Sequence, residues 1–116
     1  MSDSDSIVYV NVEEGINRVM KNTSLFVRLL TKFKSDTNIN ELETAFSRGE
    51  IDKVKNAAHT IKGLSANLSF IELYKQVVKL EAQTKEGVLN NDQLAEVRKT
   101  YDITLTEIDK VINQYA

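Results

Sequence analysis

The sequence predicts an all-α protein, an antiparallel four-helix bundle with two additional short N-terminal helices. Three observations predict it. No proline occurs in the 116 residues and the four glycines are widely spread, so little in the chain breaks a helix. Apolar residues recur at i, i+3, i+4 and i+7 in successive stretches, the period of helices that bury one face. Asn-x-x-Glu starts and glycine stops punctuate those stretches.

Residues 1–10 read as a flexible lead-in, polar and acidic over Met1 to Ser6, and residues 11–116 as a single domain. That polar start is neither a signal peptide nor a basic targeting segment. Asn11 with Glu14 three residues on resembles a capping box, and opens a first short helix reaching about Met20. Asn22 or Thr23 caps a second, Ser24 to Lys34, with Leu25, Phe26, Leu29, Leu30 and Phe33 on one side. Asn38 and Glu41 repeat the start signal for a third, which carries Leu42, Ala45 and Phe46 and stops at Gly49. The fourth runs from Ile51 to Leu68. After a break near Ser69 the fifth spans Ile71 to Glu86, with Leu73, Val77 and Leu80 inward and Gly87 beyond. Asn90, Asn91 and Asp92 begin the sixth, whose stripe is Leu94, Val97, Tyr101, Leu105, Ile108, Ile112 and Tyr115. Short links between long amphipathic helices favour antiparallel neighbours, so the last four are expected to form the bundle and the first two to pack across it. Phe26, Phe33, Phe46 and Tyr101 read as core.

Composition narrows the function. A net charge of −2 gives no support for a nucleic-acid or membrane-surface binder. One histidine and no cysteine leave only carboxylates to complete a metal site, and exclude disulfides. Absence of cysteine fits a reducing, cytoplasmic setting. No apolar run approaches the roughly 18 residues that cross a bilayer. A phosphate-binding loop of the G-x-x-x-x-G-K-[ST] kind is missing, which disfavours an ATP-dependent kinase.

The informative stretch lies in the fourth helix. Val54, Ala57, Ala58, Ile61, Leu64, Ser65 and Leu68 form its buried stripe at about 100° per residue. His59, the sole histidine, points roughly 160° from the centre of that stripe, toward water. Gly63 follows it by one turn and Ala66 by two, while Lys62 and Lys55 flank it at i+3 and i−4. A glycine inside a helix costs about 1 kcal/mol relative to alanine. Beside an outward imidazole it removes the side chain that would keep another molecule at a distance; its solvent-facing side counts against the alternative that it admits a neighbouring helix. Lysine supplies a mobile point charge for an anion on the ring. An imidazole free in water, with a reference pKa of roughly 6.5, is mostly neutral at pH 7 and needs no separate base to attack phosphorus.

His59-Thr60-Ile61-Lys62-Gly63-Leu64-Ser65-Ala66-Asn67-Leu68 resembles the signature of histidine-containing phosphotransfer (HPt) domains. Leu64 stands where that signature has a small residue, and Ser69 where it has a closing glycine. Glu13 to Arg18, Leu29 to Phe33, and Leu80-Glu81-Ala82 with Gly87 are similar to flanking parts of the family. The resemblance implies a phosphocarrier in a multistep phosphorelay, without a kinase site or cofactor of its own. Its partners would be response-regulator receiver domains and a hybrid histidine kinase. His59 would carry phosphate on Nε2, Lys62 would neutralise it, and Gly63 would permit docking. Lys55 would add positive field, unless it is only a solvated lysine, and Asn56 and Ala66 would lie in the interface. A monomer is expected. Two alternatives stay open: a noncatalytic helical adaptor that binds receivers, and the phosphate-accepting domain of a chemotaxis-type kinase.

Overall fold

Six helices form from the six amphipathic stretches in a computed structural model that describes residues 7–115. They are α1 (Val12–Arg18), α2 (Thr23–Phe33), α3 (Asn38–Ser47), α4 (Ile51–Asn67), α5 (Ile71–Lys85) and α6 (Asn91–Tyr115). Among the described residues there is no strand. Along the chain α3 packs on α4, α4 on α5 and α5 on α6, while α2 packs on α6 and α1 on α2. Consecutive neighbours follow from the short links; the α2–α6 contact joins distant parts of the sequence. Phe33 of α2 makes that contact, with ring centroids 4.8 Å from Phe70 and 5.5 Å from Tyr101. Such edge-on and tilted pairs favour the ring quadrupoles as well as burying area. Lys34 and Asp109 close the same seam at 2.6 Å on the surface.

Cap chemistry explains three of the six helix starts. Asn11 Oδ1 accepts from the Glu14 N–H, Asn22 Oδ1 from Leu25, and Asn90 Oδ1 from Gln93. The third helix departs from expectation. Asn38 lies inside it, and Asp36 takes the capping role, its carboxylate accepting from the backbone N–H and the side-chain amide of Asn38. A charged acceptor two residues earlier outcompetes a neutral one, because hydrogen bonds to ions are the stronger ones. The first helix stops at Arg18, two residues before the expected end, since Met20 and Lys21 both adopt left-handed φ of 57° and 64°.

Ser69 ends α4 in the same conformation, at φ 61°. A non-glycine residue there is strained by about 1–2 kcal/mol, and three bonds hold it. Its hydroxyl donates to Glu14 at 2.9 Å, its carbonyl accepts from the Asn11 N–H at 2.9 Å, and the next N–H, of Phe70, returns to Ser65 O at 2.8 Å. The serine thus ties α1 to the end of α4. Residues 1–6 of the expected lead-in lie outside the described residues; of the remainder, Val10 packs on the core.

Five stripe assignments change. Tyr115 is exposed, and Leu64, Leu94, Leu105 and Ile112 are only half-buried. Buried Thr100 and Thr104 occupy the α6 stripe, with the Thr104 hydroxyl donating to its own helix at Thr100 O. Phe70, which the periodicity overlooked, is fully buried.

Close approach of α1 to α2 depends on Gly15. A Cβ at this position would overlap Cε1 and Cζ of Phe26, a ring with no exposed surface. Overpacking of this kind costs about 1–3 kcal/mol, against about 1 kcal/mol of helix propensity gained by alanine. Gly15→Ala is therefore expected to lower the thermal midpoint by roughly 5 °C, measurable by circular dichroism. An unchanged midpoint would mean that α1 lifts off without loosening the core.

Candidate functional site

Helix α4 buries Val54, Ala57, Ala58, Ile61 and Ser65 against its neighbours, which turns the opposite side to solvent. His59 stands on that side with 74% of its side chain exposed. Gly63 is also exposed, and a Cβ there would meet nothing within 4 Å. Asn56 is exposed, while Lys55 and Ala66 are half-buried on the shoulders of the same face. All six residues singled out from the sequence thus share one side of one helix.

A seventh residue comes from α5. Glu81 is only 7% exposed, and its carboxylate lies between two of the six: Oε2 is 3.3 Å from His59 Nδ1 and Oε1 is 2.6 Å from Lys62 Nζ. Lys85 approaches Oε1 at 3.9 Å. The residue belongs to the inward stripe of α5, beside Leu73, Val77, Leu80 and Thr84. A charge at an inward position requires a partner, and that was the available signal. Lys62 is correspondingly not a free cation, being 25% exposed and paired. Its positive charge is held beside the ring by Glu81 instead of ranging through solvent.

The contact organises the imidazole. A carboxylate accepts only, so the proton of a neutral ring resides on Nδ1, which donates to Glu81. Nε2 then keeps its lone pair, on a side chain that is 74% exposed. Burial pushes the Glu81 carboxyl up, but the Lys62 hydrogen bond and charge, the His59 hydrogen bond and Lys85 together outweigh it and hold the group below its usual value of 4.5. A carboxylate lowered on folding stabilises the native state above its unfolded pKa, and that contribution is lost as pH falls through the folded value. The stability gap between the wild type and Glu81→Gln should therefore be full at pH 7 and shrink below pH 4.5. Urea unfolding of both chains at pH 7 and at about pH 3 measures it. A gap independent of pH would place the Glu81 contribution in packing.

Among the described residues no cluster of three or more His, Asp and Glu is arranged to hold a metal ion, and no helix is long and apolar enough to cross a membrane. What the surface offers is one approachable nucleophilic nitrogen, a neighbouring ammonium, and a gap in the side-chain cover.

The family model of the Hpt domain matches residues 28–112, which include α3, α4 and α5 entire. The chain belongs to the Hpt domain family. Hpt domains are phosphocarriers, without kinase activity of their own, in the histidine phosphotransfer steps of phosphorelays. Comparison with curated proteins gives no match, and comparison with solved structures gives none. The matched segment contains His59, Lys62, Gly63 and Glu81, whereas α1 and the start of α2 precede it.

Proposed function

We propose that the chain is a phosphocarrier between receiver domains, with α3 to α6 as an antiparallel four-helix bundle that carries the acceptor His59. The Nε2 lone pair attacks the phosphorus of a receiver's aspartyl phosphate, an N–P bond forms, the P–O bond to the aspartate breaks, and the carboxylate leaves. Transfer onward reverses these changes on a second receiver. The Nδ1 proton stays in place throughout, shared with Glu81, and the carboxylate offsets the positive charge the ring acquires once Nε2 is phosphorylated. Lys62, already held beside the ring, faces the developing phosphate charge. Phosphoryl transfer asks mainly for such positioning and charge neutralisation. Lys55 adds to the positive field, Gly63 admits the partner's reacting group, and Asn56 and Ala66 border the contact.

The observation that carries this reading is the ring itself: largely exposed, and tied at Nδ1 to a buried carboxylate. The test is to mix the chain with radiolabelled phospho-receiver domains. Label that moves to this chain, that is acid-labile and alkali-stable, and that maps to the peptide containing His59 supports the proposal. Receivers that bind without transferring label would favour the adaptor reading.

A further inference from the structure

Charge is unevenly distributed along this chain. Residues 15–35 hold Arg18, Lys21, Arg28, Lys32 and Lys34 and not one acidic residue, leaving ten basic against seventeen acidic side chains elsewhere. Among the described residues, Arg18 pairs with Glu14 and Lys34 with Asp109, while Lys21, Arg28 and Lys32 pair with no carboxylate. Arg28 and Lys32 are exposed and one turn apart on α2, hence on the same side of it.

Beside this cationic helix runs a groove between α1, α2 and the end of α4. Val19, Leu29, Leu64 and Leu68 give it apolar walls, and Arg18 and Lys32 rim it. Asp36 lies at its edge, but both carboxylate oxygens are engaged by Asn38. Leu64, on the wall of this groove, is half-buried, and among the described residues none fills the groove. Met20, one residue beyond Val19, is 91% exposed on its left-handed turn and extends the apolar surface.

The groove is within reach of anything that docks on His59. Leu64 and Asn67, both on its wall, follow the histidine by about 8 and 12 Å along the helix axis and lie about 140° and 80° round it. A protein–protein contact of ordinary size covers about 800 Å² per partner, a disc of radius about 16 Å. A partner centred on His59 that covers the shoulder of α4 at exposed Asn67 meets the open edge of the groove.

We propose that this groove is the specificity-determining part of the receiver interface, seating an apolar ridge of the receiver that is edged with carboxylates. It rests on the reading of His59 as the site on which receivers dock, and adds which receivers are accepted. Apolar walls take the ridge, while unpaired Arg28 and Lys32 attract its acidic edge and repel receivers that are basic there. Rim charges of this kind act on encounter and partner choice, and salt weakens them.

The test uses a receiver domain that loads His59 in the label-transfer assay. With Arg28→Glu/Lys32→Glu, KM for transfer should rise about tenfold at low salt while kcat stays within about twofold, and the salt dependence of KM should flatten. Lys99→Glu/Lys110→Glu on α6 makes the same change in net charge and should leave KM near wild type. Circular dichroism establishes that both variants are folded. If transfer proceeds and both double variants give the same KM, the groove is not the docking determinant, although His59 remains the acceptor. If no receiver loads the wild type, the His59 reading fails, and this inference with it.

Discussion

A His59→Gln chain is expected to accept no phosphoryl group from any receiver while its thermal midpoint moves by no more than about 2 °C. The two halves of this expectation come from the same geometry. The side chain is 74% exposed, and its one polar contact is with Glu81 at 3.3 Å. Glutamine has an amide N–H that can reach the same carboxylate, so the buried charge keeps its donor and Lys62 keeps its place. Substitution at such a surface position usually changes stability by less than about 0.5 kcal/mol. The amide nitrogen, however, has no available lone pair, and no N–P bond can form. Label incorporation and a thermal melt on one preparation measure both quantities. Label that persists on the folded variant would put the acceptor on another residue.

The acceptor face was legible because it depends on a single helix. A period of 3.6 residues fixes which side of α4 is buried, and His59, Gly63 and Asn56 follow as the opposite side without knowledge of any neighbour. Glu81 was not legible in that way. Its role depends on how α5 is aligned along α4, a tertiary register that neither helix encodes alone; its inward position in the α5 stripe marked it only as a charge in need of a partner. Leu64 shows the converse. Its place on the wheel predicts full burial, yet the helices beside it leave a groove there, so part of its surface stays open. The start of α3 at Asn38 was legible, but its acceptor was not, since Asp36 and not Asn38 supplies it. The all-helical class was secure because composition, period and caps agreed; the α2–α6 contact needed the three-dimensional structure.

Glu81 also changes what Lys62 does. A lysine three residues after the histidine reads in sequence as a free cation awaiting phosphate. In the structure its ammonium is 2.6 Å from a carboxylate that also binds the ring. One buried anion thus fixes the tautomer of the nucleophile and the position of the countercharge together. On the proposed function the arrangement is preorganised, with little side-chain freedom left to lose on phosphorylation of His59. It also carries a cost, since Lys62 must share its charge between Glu81 and the phosphoryl oxygens.

Gly63 should separate stability from function in opposite directions. Nothing lies within 4 Å of a Cβ built there, and the residue sits well inside α4. Alanine would therefore be accommodated without contact, and would gain helix propensity of about 0.5–1 kcal/mol. Gly63→Ala is expected to raise the thermal midpoint by a few degrees, roughly 3 °C. No internal packing reason thus keeps glycine at this position; on the proposed reading it leaves room for a receiver that approaches from outside. Gly63→Leu tests it. A side chain one turn from His59, on the same exposed face, would stand in the path of a receiver's aspartyl phosphate. Near-attack geometry allows reacting atoms only about 3–3.5 Å of separation, and a misplacement near 1 Å can cost about a hundredfold in rate. Gly63→Leu should stay as folded as the wild type but transfer phosphate about a hundredfold more slowly. Equal rates for Gly63→Leu and the wild type would mean that the receiver approaches His59 from the other side, over Lys62 and α5.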